Sequence, residues 1–155
     1  METDLNKVLF QALKDEDKRA IMEALQKGAD INAKDNDNDG MIVLMYASED
    51  GNLGIVDLLI ANGADVNAKD NNGWTALMFA SFDDNLKVAT LLIKEGADVN
   101  AKDNDGVSVL MLASIEGNLD IATLLIKEGA DVNAKDTFTY GKTSLMYAAE
   151  SGEKE

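Results

Sequence analysis

Apolar residues recur at helical spacing in pairs of short segments along this chain. The first segment carries five apolar residues that lie one, three or four positions apart: Leu5, Val8, Leu9, Ala12 and Leu13. Such spacing places residues on one face of a helix. The polar residues 14–17 interrupt the pattern, which resumes over residues 20–25. We therefore predict two short helices, and Gly28 is suited to end the second because glycine adopts left-handed backbone without steric cost.

One polar segment closes each of these helical pairs. It reads Gly-Ala-Asp-Val-Asn-Ala-Lys-Asp at 63–70, 96–103 and 129–136, and carries Ile in place of Val at 28–35. The starts are 35, 33 and 33 residues apart. A fixed period of this length indicates stacked repeats, each of which buries its apolar face against its neighbours.

Turn and helix-start signals recur in the same register. Asn-Gly or Asp-Gly pairs, which favour tight turns, precede each of three helix starts. Thr75, Ser108 and Thr143 stand two residues before a leucine, so their hydroxyls can accept hydrogen bonds from the first amides of a helix. Ile42 holds this place in an earlier unit and cannot do so. We therefore expect a looser helix start near Val43.

With this period and these signals, the chain resembles the ankyrin repeat family, whose unit is a turn, two antiparallel helices and a Gly-Ala-Asp-Val-Asn-Ala arm. Residues 70–102 show the pattern best. The family's usual Thr-Pro-Leu-His is replaced here, for example by Thr-Ala-Leu-Met at 75–78. The resemblance implies an all-α helical solenoid with short β-hairpin tips and the following units: a capping unit at 1–34, full repeats at 35–69, 70–102 and 103–135, and a partial unit at 136–155.

Charge narrows the class of partner. The chain has 14 Lys and Arg against 29 Asp and Glu, a net charge of −15. This balance argues against a nucleic acid partner, which needs clustered cations, and against an anionic membrane surface. A basic or mixed-charge protein is favoured. No signal peptide or transmembrane run is evident, so a cytoplasmic location is the default expectation.

The sequence offers little for catalysis or cofactors. It contains no Cys and no His, which removes thiolate chemistry and the commonest general base near neutral pH. Acid pairs such as Asp83 and Asp84 lack an enclosing pocket in an open repeat stack. Residues 136–143 approach a phosphate-binding loop but lack its first glycine. We expect a non-enzymatic protein with no cofactor.

The tip at 35–40 reads Asp-Asn-Asp-Asn-Asp-Gly and matches the opening of a calcium loop. The twelfth place, where such loops carry a bidentate Glu, is Tyr46. A lengthened repeat tip explains the acids better, so no metal site is expected. The only candidate ligands are Asp35, Asp37 and Asp39.

The resemblance also implies where a partner would bind. Ankyrin proteins usually meet partners on a concave face built from the tips and the solvent side of the first helices. Position by position, this predicts an apolar centre of Trp74, Phe82, Val107 and Ile115 within an acidic rim. The full set of candidate partner-binding residues is Met41, Asp50, Trp74, Phe82, Asp83, Asp105, Val107, Ile115, Glu116, Phe138 and Tyr140.

The function favoured by these observations is non-catalytic binding of another protein on the concave face. Two alternatives stay open. Residues 89–103 recur unchanged at 122–136, which also suits an engineered or consensus-derived binder without a natural partner. The second alternative is a calcium-responsive protein that uses the tip at 35–40. The protein is expected to be a monomer or to self-associate weakly through an uncapped apolar end near Leu145.

Overall fold

The computed structural model describes residues 4–152 of the 155-residue chain. Residues 1–3 and 153–155, which include the outer ends of the expected first and last units, lie outside the described residues. The described part contains nine short helices and no β-strand. The helices are α1 (Leu5–Lys14), α2 (Lys18–Gln26), α3 (Val43–Glu49), α4 (Leu53–Ala61), α5 (Ala76–Phe82), α6 (Leu86–Lys94), α7 (Val109–Glu116), α8 (Leu119–Lys127) and α9 (Ser144–Gly152).

The helices form two rows. Helices α1, α3, α5, α7 and α9 pack one after another in the first row, and α4, α6 and α8 pack in the second. Each first-row helix from α1 to α7 also packs on the helix that follows it in the chain. The all-α repeat stack predicted from the sequence is confirmed. Between helices, the tips are turns with isolated antiparallel bridges, Asp35 to Met41 and Lys102 to Ser108, in place of regular hairpin strands.

Equivalent positions of successive repeats fill the core between the rows. In α3, α5 and α7, a Leu-Met pair is at most 3% exposed in every repeat: Leu44-Met45, Leu77-Met78 and Leu110-Met111. An alanine two residues after the Met is at most 1% exposed, which lets neighbouring first-row helices approach closely. The pattern ends at α9, where Leu145 is 78% and Met146 52% exposed.

The helix starts follow the hydroxyl pattern. Thr75 Oγ1 accepts from the Met78 amide at 3.4 Å, and Ser108 Oγ accepts from the Met111 amide at 3.2 Å. Helix α3 begins at Val43 without a side-chain cap. There the amide of Ile42 donates to the sulfur of Met45 at 3.4 Å, so the Met found where the family usually has His serves as a weak acceptor.

Left-handed backbone joins the paired helices. Gly51 and Gly117 link their pairs with φ of 69° and 73°, and Asp84 takes the same place between α5 and α6 with φ of 57°. An Asp tolerates this conformation better than most residues with a side chain. The departure from glycine at this position therefore leaves the fold unchanged, as expected from the sequence.

Asparagines of the repeated arm tie each unit to the next. The side-chain oxygen of Asn67 accepts from the Asp98 amide at 2.8 Å, while its nitrogen donates to the Gly96 carbonyl at 3.0 Å. Asn100 makes the equivalent pair of bonds one repeat later. Because each Asn satisfies backbone groups of its neighbour, the arms hold a fixed register along the stack.

Candidate binding face

Backbone hydrogen bonds align the tips on one side of the stack. The amide of Asn71 donates to the Asp39 carbonyl at 2.7 Å, Asn104 to Asn72 at 3.0 Å, and Thr137 to Asp105 at 2.9 Å. These bonds join the four tips edge to edge. We call the surface made by these tips and the adjacent solvent side of α3 and α5 the tip face.

An aromatic cluster stands at the centre of the tip face. The ring of Trp74 lies 5.0 Å from that of Phe79 and 5.7 Å from that of Phe82, with interplanar angles of 56° and 62°. Tilted ring pairs at such distances add to the stabilisation from burial. Phe82 is nevertheless 38% exposed. The cluster therefore combines a packed base with accessible apolar surface.

Two aspartates fix the position of Trp74. Its amide donates to Asp70 Oδ1 at 2.8 Å, and its indole Nε1 donates to Asp103 Oδ2 at 3.2 Å. Asp103 belongs to the following tip, and its other oxygen accepts from the amides of Asp105 and Val107. The indole is thereby held across the junction of two repeats.

A groove of about 730 Å³ opens beside this cluster. Five of its lining residues carry carboxylates, and Lys or Arg does not occur among the lining residues. The lining consists of Asp39, Met41, Glu49, Asp70, Asn72, Trp74, Phe79, Asp103, Asn104 and Asp105. Within residues 4–152, the ion pairs join other side chains and leave these five carboxylates without a cationic partner.

Like charges meet at the edge of the groove. Burial, together with the charges of Asp83 and Asp50, raises the pKa of Glu49. Burial and the charge of Asp50 also raise the pKa of Asp83. Both directions mean that the protein holds these carboxylates in a setting that disfavours their charge. A cation bound at this edge would relieve that cost.

The repeats of this chain match a known protein family. A model of ankyrin repeats, in three copies, matches residues 9–103 and 102–155. The chain belongs to the ankyrin repeat family. Such repeats generally mediate protein–protein interaction and are typically non-catalytic.

The chain is also similar to M-phase phosphoprotein 8 of Mus musculus, with 38% identity over 70 residues. The match covers 45% of this ankyrin chain but 8% of the mouse protein. The likeness is therefore to one segment of a much longer protein.

The helices described between residues 4 and 152 are all too short or too polar to span a membrane.

The structure brings only part of the predicted ankyrin binding set together. Trp74 and Phe82 are in contact, and Asp105 lines the groove beside them. Val107 is half-buried against the core. Ile115 does not line this groove but a separate depression formed with residues of α8 and α9.

The remaining candidates differ in exposure. Asp50, Asp83 and Glu116 are exposed, but Glu116 lines the depression shared with Ile115 and not the groove. Met41 is only 9% exposed but lines the groove. Phe138 is 74% exposed and Tyr140 fully exposed on the last tip.

Sequence reasoning missed Phe79 as a member of the face. With Thr75 as the helix cap, Trp74 occupies the position before the cap and Phe79 the fourth helical position. Apolar residues at these two places commonly pack together as a hydrophobic staple. This spacing is readable in the sequence and would have placed Phe79 beside Trp74.

The carboxylate of Asp35 holds together the tip at 35–40 and the helix that follows it. Asp35 accepts from the Asp37 amide at 3.1 Å, from Asn38 Nδ2 at 2.8 Å and from the Tyr46 hydroxyl at 2.9 Å. The hydrogen bond from Asn38 leads the causes that lower the pKa of Asp35. Asp35, Asp37 and Asp39 do not form a group that could hold a metal ion. Among residues 4–152, no three or more Asp, Glu, His or Cys side chains are arranged to do so.

In the last tip, Asp136 accepts hydrogen bonds within the fold as Asp35 does in the tip at 35–40. The carboxylate of Asp136, which is 4% exposed, accepts from the hydroxyls of Thr139 and Tyr147 and from the amides of Thr139 and Gly141. Burial raises the pKa of Asp136, but these hydrogen bonds outweigh it and lower that pKa to about 2. Amides that a phosphate-binding loop would turn toward a ligand here bind the protein's own carboxylate.

Proposed function

We propose that this ankyrin repeat domain binds another protein, of basic or mixed charge, through the tip face. The observation that carries the proposal is the contact between Trp74 and Phe82 beside a groove lined by five carboxylates and no cation. In the family resemblance this surface corresponds to the concave face. A cytoplasmic location and the division into units at 1–34, 35–69, 70–102, 103–135 and 136–155 belong to the same proposal.

The residues divide into two roles. Trp74 and Phe82 are the proposed anchors, since Trp and well-packed aromatic residues dominate interface energies. Asp50, Asp83 and Asp105 surround them and attract a basic partner, which acts mainly on the association rate. Phe138 and Tyr140 extend the face at the last tip. Val107 supports the face from the core, while Ile115 and Glu116 are proposed to form a secondary contact.

A peptide-display selection against the protein, with random 12-residue peptides, provides the test. We expect basic peptides to be enriched. The double substitution Trp74→Ala and Phe82→Ala should lower the affinity for the selected peptides by roughly 10- to 100-fold, as for interface hot spots. Calorimetric titration measures the affinity. Val8→Ala with Leu53→Ala is the matched control, because both side chains are exposed and neither lines the groove or the depression at Ile115, and it should leave affinity unchanged.

Salt dependence examines the acidic rim separately. Association of a selected basic peptide should slow as the salt concentration rises from roughly 0.05 to 0.5 M, because screening shortens the reach of the carboxylates. Stopped-flow mixing measures the rate. A rate that is independent of salt would contradict the assigned role of the rim.

We also propose weak self-association through the apolar surface of α8 and α9. Leu119 and Leu145 are 75% and 78% exposed there, and Ile126 and Met146 are 53% and 52% exposed. Light scattering should show the average mass rising with concentration for the wild-type protein and for Trp74→Ala, but not for Leu145→Lys, since exposed apolar patches favour contact. A constant monomeric mass of the wild type would rule this out.

A further inference from the structure

The groove of the tip face holds negative charge without internal compensation. Asp103 uses both oxygens within the fold, one for the Asp105 and Val107 amides and one for the Trp74 indole. Glu49 and Asp105 also line the groove, and the hydrogen bonds and ion pairs formed among residues 4–152 do not engage their carboxylates. The side chain of Asp39, which also lines the groove, is engaged by none of these bonds either. Three carboxylates are therefore available to a ligand, and Glu49 and Asp105 are the two that the proposal below uses.

The ring geometry selects the kind of cation. Rings that enclose a methylated ammonium lie on opposite sides of it, each within about 6 Å of the charge. Trp74 instead lies in direct contact with Phe79 and Phe82, at 5.0 and 5.7 Å between centroids. No ammonium fits between rings at these separations. Trp74 is partly exposed and lines the groove, so a ligand there meets one surface of the indole and not a cage of rings.

We propose that the groove receives an arginine side chain of the partner, stacked on Trp74, with its N–H groups donating to Glu49 and Asp105. This inference rests on the proposed function, since it names the side chain that the tip face recognises. A guanidinium is planar, stacks on aromatic faces and presents five donors. A lysine ammonium is compact and more strongly hydrated, and it gains less from a flat surface.

The size of the groove agrees with this occupant. Its volume of about 730 Å³ falls within the range of pockets that hold small molecules, roughly 300–1,000 Å³. An arginine side chain and the adjoining peptide backbone fit within such a space. Burial and the charges of Asp83 and Asp50 raise the pKa of Glu49. A bound guanidinium would place a positive charge beside Glu49, so attraction would offset this repulsion between carboxylates.

Trp74 is the only tryptophan in the sequence, so intrinsic fluorescence reports on the groove directly. The probes are the amidated tetrapeptides Gly-Gly-Arg-Gly, Gly-Gly-Lys-Gly and a citrulline analogue, in which a neutral urea replaces the guanidinium. We expect the arginine peptide to change the fluorescence saturably, at least about fivefold more tightly than the lysine peptide. The citrulline peptide should not saturate.

Charge-neutral variants locate the site. Glu49→Gln and Asp105→Asn should each weaken the arginine peptide by roughly 3- to 10-fold, because each removes a charge-assisted acceptor. Asp57→Asn is the matched control, since Asp57 lines a groove between α4 and α6 on a different surface. Equal binding of the arginine and citrulline peptides, or an equal loss in Asp57→Asn, would overturn the inference.

The display-selected peptides separate the inference from the function on which it rests. If their binding depends on Trp74 and Phe82 but survives replacement of every arginine by lysine, the arginine site is overturned and the binding face stands. If their binding is unaffected by the Trp74→Ala and Phe82→Ala pair, the proposed function fails, and the arginine site fails with it.

Discussion

Replacing Leu77 with alanine is expected to lower the free energy of unfolding by roughly 2–5 kcal/mol. Leu77 is 1% exposed in α5, which packs between α3 and α7. The substitution removes buried methyl groups and leaves a cavity where two repeat interfaces meet. Since a repeat protein is stabilised by the interfaces between neighbours, one defect in the centre weakens both halves. Urea denaturation followed by circular dichroism measures the loss.

The last repeat supplies a matched control for this prediction. Leu145 occupies the position equivalent to Leu77, two residues after the hydroxyl residue that precedes the helix, but it is 78% exposed. Leu145→Ala should therefore change the free energy of unfolding by no more than about 0.5 kcal/mol. A loss as large as that of Leu77→Ala would mean that the outer surface of α9 is covered.

Asp136→Asn is expected to cost roughly 1–2 kcal/mol at neutral pH, which is the scale of hydrogen bonds to a charged group after screening near the surface. The carboxylate accepts from two hydroxyls and two amides. An asparagine offers one acceptor oxygen and turns donors toward the remaining groups. Tyr147 and Thr139 would lose their shared partner, which loosens the last tip against α9.

The acid dependence of this effect has a definite sign. The pKa of Asp136 is lowered to about 2 in the folded protein, below the value of about 3.9 for an unfolded chain. Its stabilisation is therefore complete above the unfolded pKa and is lost as pH falls from about 5 toward 2. The difference between wild type and Asp136→Asn should shrink over this range. A constant difference between pH 7 and 2 would contradict the role of the ionised carboxylate.

Asp57→Asn is the control for the loss of one negative charge. Asp57 is exposed in α4, and its substitution should leave stability nearly unchanged from neutral to acid pH. If both variants were destabilised equally, the cause would be the change in net charge and not the loss of the Asp136 hydrogen bonds.

The features predicted well from the sequence are those set by local chemistry. The repeat period, the helix starts at Thr75 and Ser108, and the left-handed backbone at Asp84 depend on a few adjacent residues, and all are present in the structure. Such choices are made by backbone sterics and by the hydrogen bonds of the first helical turn. These features can therefore be predicted from the type and position of single residues.

The features that sequence reasoning missed depend on how separate segments meet. The hydroxyl of Tyr46 reaches Asp35 across 11 positions, and Tyr147 reaches Asp136 across the same interval. These bonds form only when the tip folds back onto the following helix. The depression that Ile115 lines was missed for a similar reason, because it forms only where residues of α7, α8 and α9 meet.

The binding face shows the same division. Trp74 and Phe82 could be selected from the family register, since both occupy positions that the resemblance turns outward. Their hydrogen-bonding and ring contacts could not be selected, because the Asp103 acceptor comes from the following tip. The register of the tips, fixed by backbone bonds between units, decides which acids stand beside the aromatic cluster.

Chemical-shift mapping tests the central claim, that the tip face is the partner-binding surface, most directly. A ¹⁵N-labelled protein is titrated with a display-selected peptide, and the account predicts the largest shifts at the Trp74 indole N–H and at the amides of Phe82 and Asp105. Shifts confined instead to the α4 and α6 surface, around Leu53 and Leu91, would contradict it.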